Sequence, residues 1–240
     1  MSAIRGARER ARIEVTAAIK DEARKQLAEE GAAKLSLRAV ARELGMVSSA
    51  LYRYFPSRDD LLTALIVDAY DAIGEAAERA HRPAAAGTTK TPAPATGLDR
   101  WTAVACAVRD WALAHPHEYA LIYGSPVPGY TAPQDTVAPA ARVGLVLIAI
   151  VEEAHREEGI ALPPLADELR PEAERLAADL APGLAPAVAA PLVAAWSQLF
   201  GLISFEVFGQ FNRVVEAREV FFRQAVTELA RTVGLLGKRG

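Results

Sequence analysis

A single cysteine, Cys106, stands in 240 residues, so no disulfide framework can form within the chain, and a reducing compartment is expected. Metal-ligand spacing is missing too. His115 and His117 flank Pro116 at i, i+2, whereas a metal pair on a helix prefers i, i+4, and no nearby cysteine or paired carboxylate completes a shell. The chain has no glycine-rich phosphate loop, no Gly-x-Ser-x-Gly elbow and no cysteine beside a plausible base. These absences argue against an enzyme, and no cofactor or metal is expected. Long apolar runs are equally scarce. The longest, Val143 to Val151, is flanked by Arg142 and Glu152 and is about half of what a bilayer span needs, so no membrane partner is expected. Met1 to Arg12 is basic with no apolar stretch behind it, which gives no secretory signal and an expected cytoplasmic location.

What the chain does have is alanine-rich helical periodicity and an uneven charge. Through Arg58 there are 12 Lys and Arg against 7 Asp and Glu; the remainder carries 15 against 23. A basic head on an acidic body suits contact of the head alone with a polyanion. Period-two alternation is rare, and the fold class is all-α. Val15, Ile19, Ala23 and Leu27 repeat every four residues on a first helix over Ala7 to Glu30, which Gly31 closes. Ser36 is suited to cap a short helix to Leu44, with Leu37, Val40, Ala41 and Leu44 as its apolar stripe. A third helix runs from about Ser48 to Phe55 and stops at Pro56. Ser57-Arg58-Asp59-Asp60 has the form of a capping box and opens a long helix to His81.

Two short helices over 36–55 joined by a turn at Gly45-Met46-Val47 have the anatomy of a helix-turn-helix. The turn needs a residue free of Cβ, and the second helix needs small residues where it enters the major groove: Ser48, Ser49 and Ala50. The run Leu35-Ser36-Leu37-Arg38-Ala39-Val40-Ala41, then Leu44-Gly45-Met46, then Ala50-Leu51-Tyr52-Arg53-Tyr54-Phe55-Pro56-Ser57-Arg58-Asp59-Asp60-Leu61-Leu62, resembles the DNA-binding domain of the TetR/AcrR family, ungapped from about Ile13 to Leu65. One departure is Val47, where the family has a Ser or Thr cap; Ser48 is the expected substitute.

The resemblance implies a role for each matching position. Ser36 and Arg38 match backbone and groove contacts, Ser48, Ser49 and Ala50 base-edge contacts, and Tyr52 and Tyr54 phosphate contacts. Arg53 is placed to read guanine or hold phosphate, and Arg58 matches the basic residue that clamps the backbone. Leu37, Val40, Leu44, Leu51, Phe55 and Leu61 are expected as core.

The expected organisation is a DNA-binding domain over 1–57, a connecting helix over 58–81, a flexible linker over 82–97, and a larger helical ligand-binding and dimerisation domain over 98–240. Helices are expected over Leu98 to His115, Glu118 to Tyr123, Pro139 to Glu158, Leu192 to Asn212 and Ala217 to Leu236, with prolines breaking Leu162 to Pro191. Around Trp101, His117 and Gly124 the second half resembles the WHG-type subgroup of TetR C-terminal domains. The polar-tipped aromatics Trp101, Trp111, Tyr119, Tyr123, Tyr130 and Trp196 suit an apolar ligand pocket, or else packed core. By resemblance the last two helices pair with a second copy through Phe200, Ile203, Val207, Phe208, Phe211, Phe221 and Leu229; the alternative is that this stripe is internal core. The function expected is a repressor, a homodimer on a palindromic double-stranded operator, released by a small-molecule effector. An activator, or a ligand-binding helical protein with weak or no DNA binding, is the alternative.

Overall fold

Ten α-helices and three 3₁₀ turns follow one another in the computed structural model, which describes residues 2–82, 96–157 and 159–235 and, among these, contains no strand. The all-α class is therefore as expected. The linker expected over 82–97 falls mainly on 83–95, outside the described residues. The described chain forms two compact units: Met1–Asp71 with His115–Ala140, and Ala72–Ala114 with Ala141–Gly240.

The first unit holds α1 (Ser2–Glu30), α2 (Leu37–Glu43), α3 (Ser48–Leu51), the first turns of α4 (Arg58–His81) and α6 (Pro116–Tyr123). Ile19, Ala23 and Leu27 of α1 pack with Leu37, Val40 and Ala41 of α2, with Leu51 and Phe55, and with Leu61, Leu62, Leu65 and Ile66 of α4. The four-residue spacing read on α1 is its buried face, with Val15 half-buried at the edge. α6 opens on Pro116, whose missing N–H is not needed in a first turn. This unit is thus not only the first stretch of chain: Leu121, Ile122, Val127 and Tyr130 lie against the same core. Arg24 ties the elements together, bonding Asp68 of α4 at 2.7 Å and Glu118 of α6 at 3.2 Å, while Lys20 reaches Asp68 at 2.8 Å. Partly exposed pairs of this kind contribute about 0.2–1 kcal/mol each, so the apolar core, not the ion pairs, holds the unit.

The second unit holds the rest of α4, α5 (Gly97–Ala114), most of α7 (Val137–Glu157), α8 (Arg170–Leu180), α9 (Pro186–Val207) and α10 (Arg218–Thr232). Gly74 lets α4 approach α7 closely: a Cβ there would stand 2.7 Å from Arg142 Cβ. Beside that contact Arg142 grips Glu78 with two bonds of 2.8 Å. Trp101 is fully buried and its indole Nε1 donates to Val226 O of α10 at 3.2 Å. Arg109 of α5 donates to both oxygens of buried Glu206 on α9, at 2.7 and 2.6 Å, and lies over the Phe222 ring.

α9 starts at Pro186, a turn and a half before the expected Leu192, because Pro186 sits in its first turn and Pro191 is accommodated inside it. By length and composition it is apolar enough to cross a bilayer. Its apolarity has two destinations here. Val188, Leu192, Ala195, Leu199, Ile203 and Glu206 face the unit's core, while Val193, Trp196, Phe205 and Phe208 are exposed.

Candidate nucleic-acid interface

The interface begins with how α2 stops. Gly45 has φ +64°, a conformation that a Cβ disfavours. Gly45 N donates to Arg42 O at 3.1 Å and Met46 N to Ala41 O at 2.8 Å, the crossed pair of a Schellman motif, with Met46 tucked against the core. The chain thereby reverses within three residues. At the other end of α2, Ser36 Oγ accepts from Ala39 N at 3.4 Å, the cap expected from the sequence.

α3 starts at Ser48 as expected but departs from expectation in its cap and at its end. Its N-cap is Val47, in extended conformation and with no side-chain cap, so Ser48 is the first helical residue and not the substitute cap. The reason is local: Val47 O already accepts from Ala50 N at 2.9 Å. α-Helical geometry ends at Leu51, and the chain to Phe55 tightens through Arg53 N to Ala50 O and Tyr54 N to Leu51 O bonds. Leu51, fully buried, and Phe55 anchor the element. Ser49, Tyr52 and Arg53 are exposed, and Ser48 and Ala50 half-exposed, so the small-residue start and the polar tip share an open face. Arg38 is exposed on α2, while Tyr54 packs partly against the core.

Arg58, expected to clamp the DNA backbone, is committed elsewhere. Its Nε donates to Leu35 O at 3.2 Å, and its Nη2 to Ala32 O at 2.8 Å and Ala33 O at 3.3 Å. It holds the 3₁₀ turn Ala32–Lys34 that leads into α2. Ser57 and Asp60 make the reciprocal capping box that orients Arg58: Ser57 N to Asp60 Oδ2 at 2.9 Å, and Asp60 N to Ser57 Oγ at 3.1 Å.

The six aromatics expected around one ligand are divided three and three between the two units. Tyr119, Tyr123 and Tyr130 belong to the first unit, where Tyr119 is fully buried, Tyr123 stacks edge-on to Tyr70 and Tyr130 Oη lies 2.9 Å from Thr63 Oγ1. Burial raises the Tyr123 phenol well above its usual range. Tyr70, which completes this cluster, had no sequence signal beyond its place on α4. Trp101 and Trp111 are core of the second unit, because bulk and one donor make tryptophan good filling where a carbonyl is in reach. Trp196 alone of the six lines an apolar cavity of about 290 Å³ among α7, α8 and α9, with Leu145, Ile148, Leu176, Leu180 and Leu192.

The expected pairing stripe is also divided. Phe200, Ile203 and Leu229 are buried within the protomer, on the inward faces of α9 and α10, where the alternative of internal core places them. Phe208 and Phe221 are exposed, and Val207 and Phe211 half-buried. Phe211 joins Phe205 and Phe221 edge-on, with centroids at 5.7 and 5.5 Å, so an aromatic patch runs from α9 to α10. Among the described residues no group of three or more metal-ligating side chains is found.

A Gly-turned pair of short helices on a three-helix core, with the second helix presenting a polar tip, defines a helix-turn-helix protein. Residues 19–65 match the family described as bacterial regulatory proteins, tetR family, and residues 101–229 match the tetracyclin repressor-like C-terminal domain. The HTH-type transcriptional regulator Rv1816 of Mycobacterium tuberculosis is 41% identical over 218 residues, 86% of each chain, and the regulator Mb1846 of Mycobacterium bovis matches equally. The crystal structure of the regulatory protein SCO4313 superposes with a TM-score of 0.74 at 35% identity, over 92% of this chain and 97% of that one. PfmR, a TetR family regulator from Thermus thermophilus, shares the fold alone: TM-score 0.58 at 20% identity, over 91% and 99%. The chain belongs to the TetR family and is a helix-turn-helix transcriptional regulator, a non-enzymatic class. Regulators of this family bind DNA operators.

Proposed function

We propose that the protein is a cytoplasmic repressor that binds a palindromic operator as a homodimer and leaves it when a small molecule binds the second unit. The observation that carries the DNA reading is the open face of α3. Leu51 and Phe55 fix the element, while Ser49, Tyr52 and Arg53 stay exposed. Ser48, Ser49 and Ala50 are small enough to approach base edges. Tyr52 and Arg38 contact phosphate, and Arg53 has the donors to read guanine or hold phosphate. Ser36 caps α2 and positions it beside the strand. Arg58 acts as a positioning residue for the turn before α2.

Pairing of two copies is supported by Phe205, Phe208, Val220 and Phe221, which lie exposed on α9 and α10. Ala194, Ser197 and Gly201 beside them are exposed and small, so two helices can come close. A two-fold operator needs two reading helices about 34–36 Å apart. The cavity beside Trp196 supports an apolar effector, which acts only through unequal affinity for the DNA-bound and free conformers. The test is selection of duplexes from a random pool, followed by fluorescence anisotropy on the winner. A two-fold site, bound with a steep salt dependence and weakened by Tyr52→Phe and Ser49→Ala, is expected. Recovery of no sequence above background would overturn the reading.

A further inference from the structure

The first stretch of α1, residues 2–18, precedes the part matched to the family, which starts at residue 19. On this stretch the structure forms a cleft of about 320 Å³ lined by Arg8, Ala11, Arg12 and Val15 together with Arg53 and Tyr54. Arg8 and Arg12 are one helical turn apart and share a face, about 6 Å apart along the axis at 1.5 Å per residue. Arg53, directly after Tyr52 of the reading tip, shares the lining with them. No carboxylate lines the cleft, and among the described residues no ion pair engages these three guanidiniums. The neighbouring cleft on the same helix is different. It shares Arg12 and adds Lys20 and Arg24 beside Glu9, Asp21 and Asp68; Lys20 and Arg24 are the paired cations there, each bonded to Asp68.

We infer that Arg8, Arg12 and Arg53 form a clamp for the DNA sugar-phosphate backbone alongside the base-reading tip. Three forked donor groups over a small apolar floor of Ala11 and Val15 suit a phosphodiester, whose oxygens take charge-assisted bonds while its sugar lies on carbon. A strand leaving the major groove beside Tyr52 and Tyr54 passes Arg53 first. The clamp therefore lengthens the DNA footprint through Arg8 and Arg12, which lie outside the family match. It rests on the DNA-binding reading above.

The test uses the full chain and the selected operator in two lengths, one ending at the recognised bases and one extended on both flanks. Arg8→Gln and Arg12→Gln each remove one contact per protomer, so with two protomers bound the log–log salt slope on the extended duplex falls by about 1.8. Affinity near 0.15 M salt then drops by roughly tenfold or more. On the short duplex the variants bind as the parent does. Arg10→Gln, the same charge change outside the cleft, leaves the slope within about 0.3 of the parent. Glutamine and arginine have similar helix propensity, and circular dichroism checks that α1 is retained. Equal slopes for parent, Arg8→Gln and Arg12→Gln would overturn the clamp alone, as would an Arg10→Gln loss as large as theirs. Failure of the parent to bind either duplex would overturn the DNA reading as well.

Discussion

Arg58 separates two accounts of the reading head, and Arg58→Ala is the perturbation that distinguishes them. In the structure the guanidinium serves three carbonyls, two through the same Nη2, so about two independent hydrogen bonds are at stake. Bonds from a charged donor contribute about 1.5–3 kcal/mol each. The side chain is 29% exposed and also faces Asp59, and the carbonyl of exposed Ala33 can turn to water. A net cost of about 2 kcal/mol remains after that discount. For a chain of this length that is a fall in Tm of roughly 4–8 °C. Hydrogen exchange should locate the loss at Lys34 and Leu35, whose amides bond Gly31 O and Ala32 O in the turn that Arg58 holds. Operator affinity falls modestly, because the turn before α2 loosens, and the salt slope is unchanged. An unaltered Tm together with a slope reduced by about 0.9 per contact would refute this and restore the phosphate clamp at Arg58.

Three further outcomes follow from the same geometry. Gly45→Ala places a Cβ at φ +64° and should cost about 1–2 kcal/mol, read by chemical denaturation. Glu206→Gln leaves Arg109 against a neutral partner in a pair that is 12% and 5% exposed; a loss of about 3–5 kcal/mol is expected, and Arg109→Met with Glu206→Leu should recover most of it. The hydrogen bond from Arg142 holds the Glu78 carboxyl below its ordinary value of 4.5. A depressed folded value means stability that is present above about pH 4.5 and lost as pH falls through the folded value. Glu78→Gln should therefore lower stability at pH 6 and converge with the parent in acid; a difference that persists undiminished at low pH would contradict the assignment.

Much of the reading head was legible because single residues there have few alternatives. Gly45 sits where only a residue without Cβ turns freely, Ser57 and Asp60 cap as their spacing implies, and α4 spans Arg58 to His81 as read. The cap of α3 was not legible, since Val47 caps with its backbone and offers no side-chain sign. α9 hid its division between two faces. It is apolar all round, so periodicity alone could not tell which of Phe200, Ile203, Phe205 and Phe208 turned inward. Arg109 and Glu206 lie 97 residues apart, and nothing local marks them as partners. The cleft of Arg8, Arg12 and Arg53 was visible only as a basic balance, because it takes the fold to bring the end of α1 beside the tip.

Hydroxyl-radical footprinting of the full chain on its selected duplex tests the central assignment most directly. Two copies of the α3 tip seated in successive major grooves should leave two protected patches related by two-fold symmetry, with centres about 34–36 Å apart. A single patch, or protection that remains when Ser49, Tyr52 and Arg53 are all replaced by alanine, would show that this face does not read DNA.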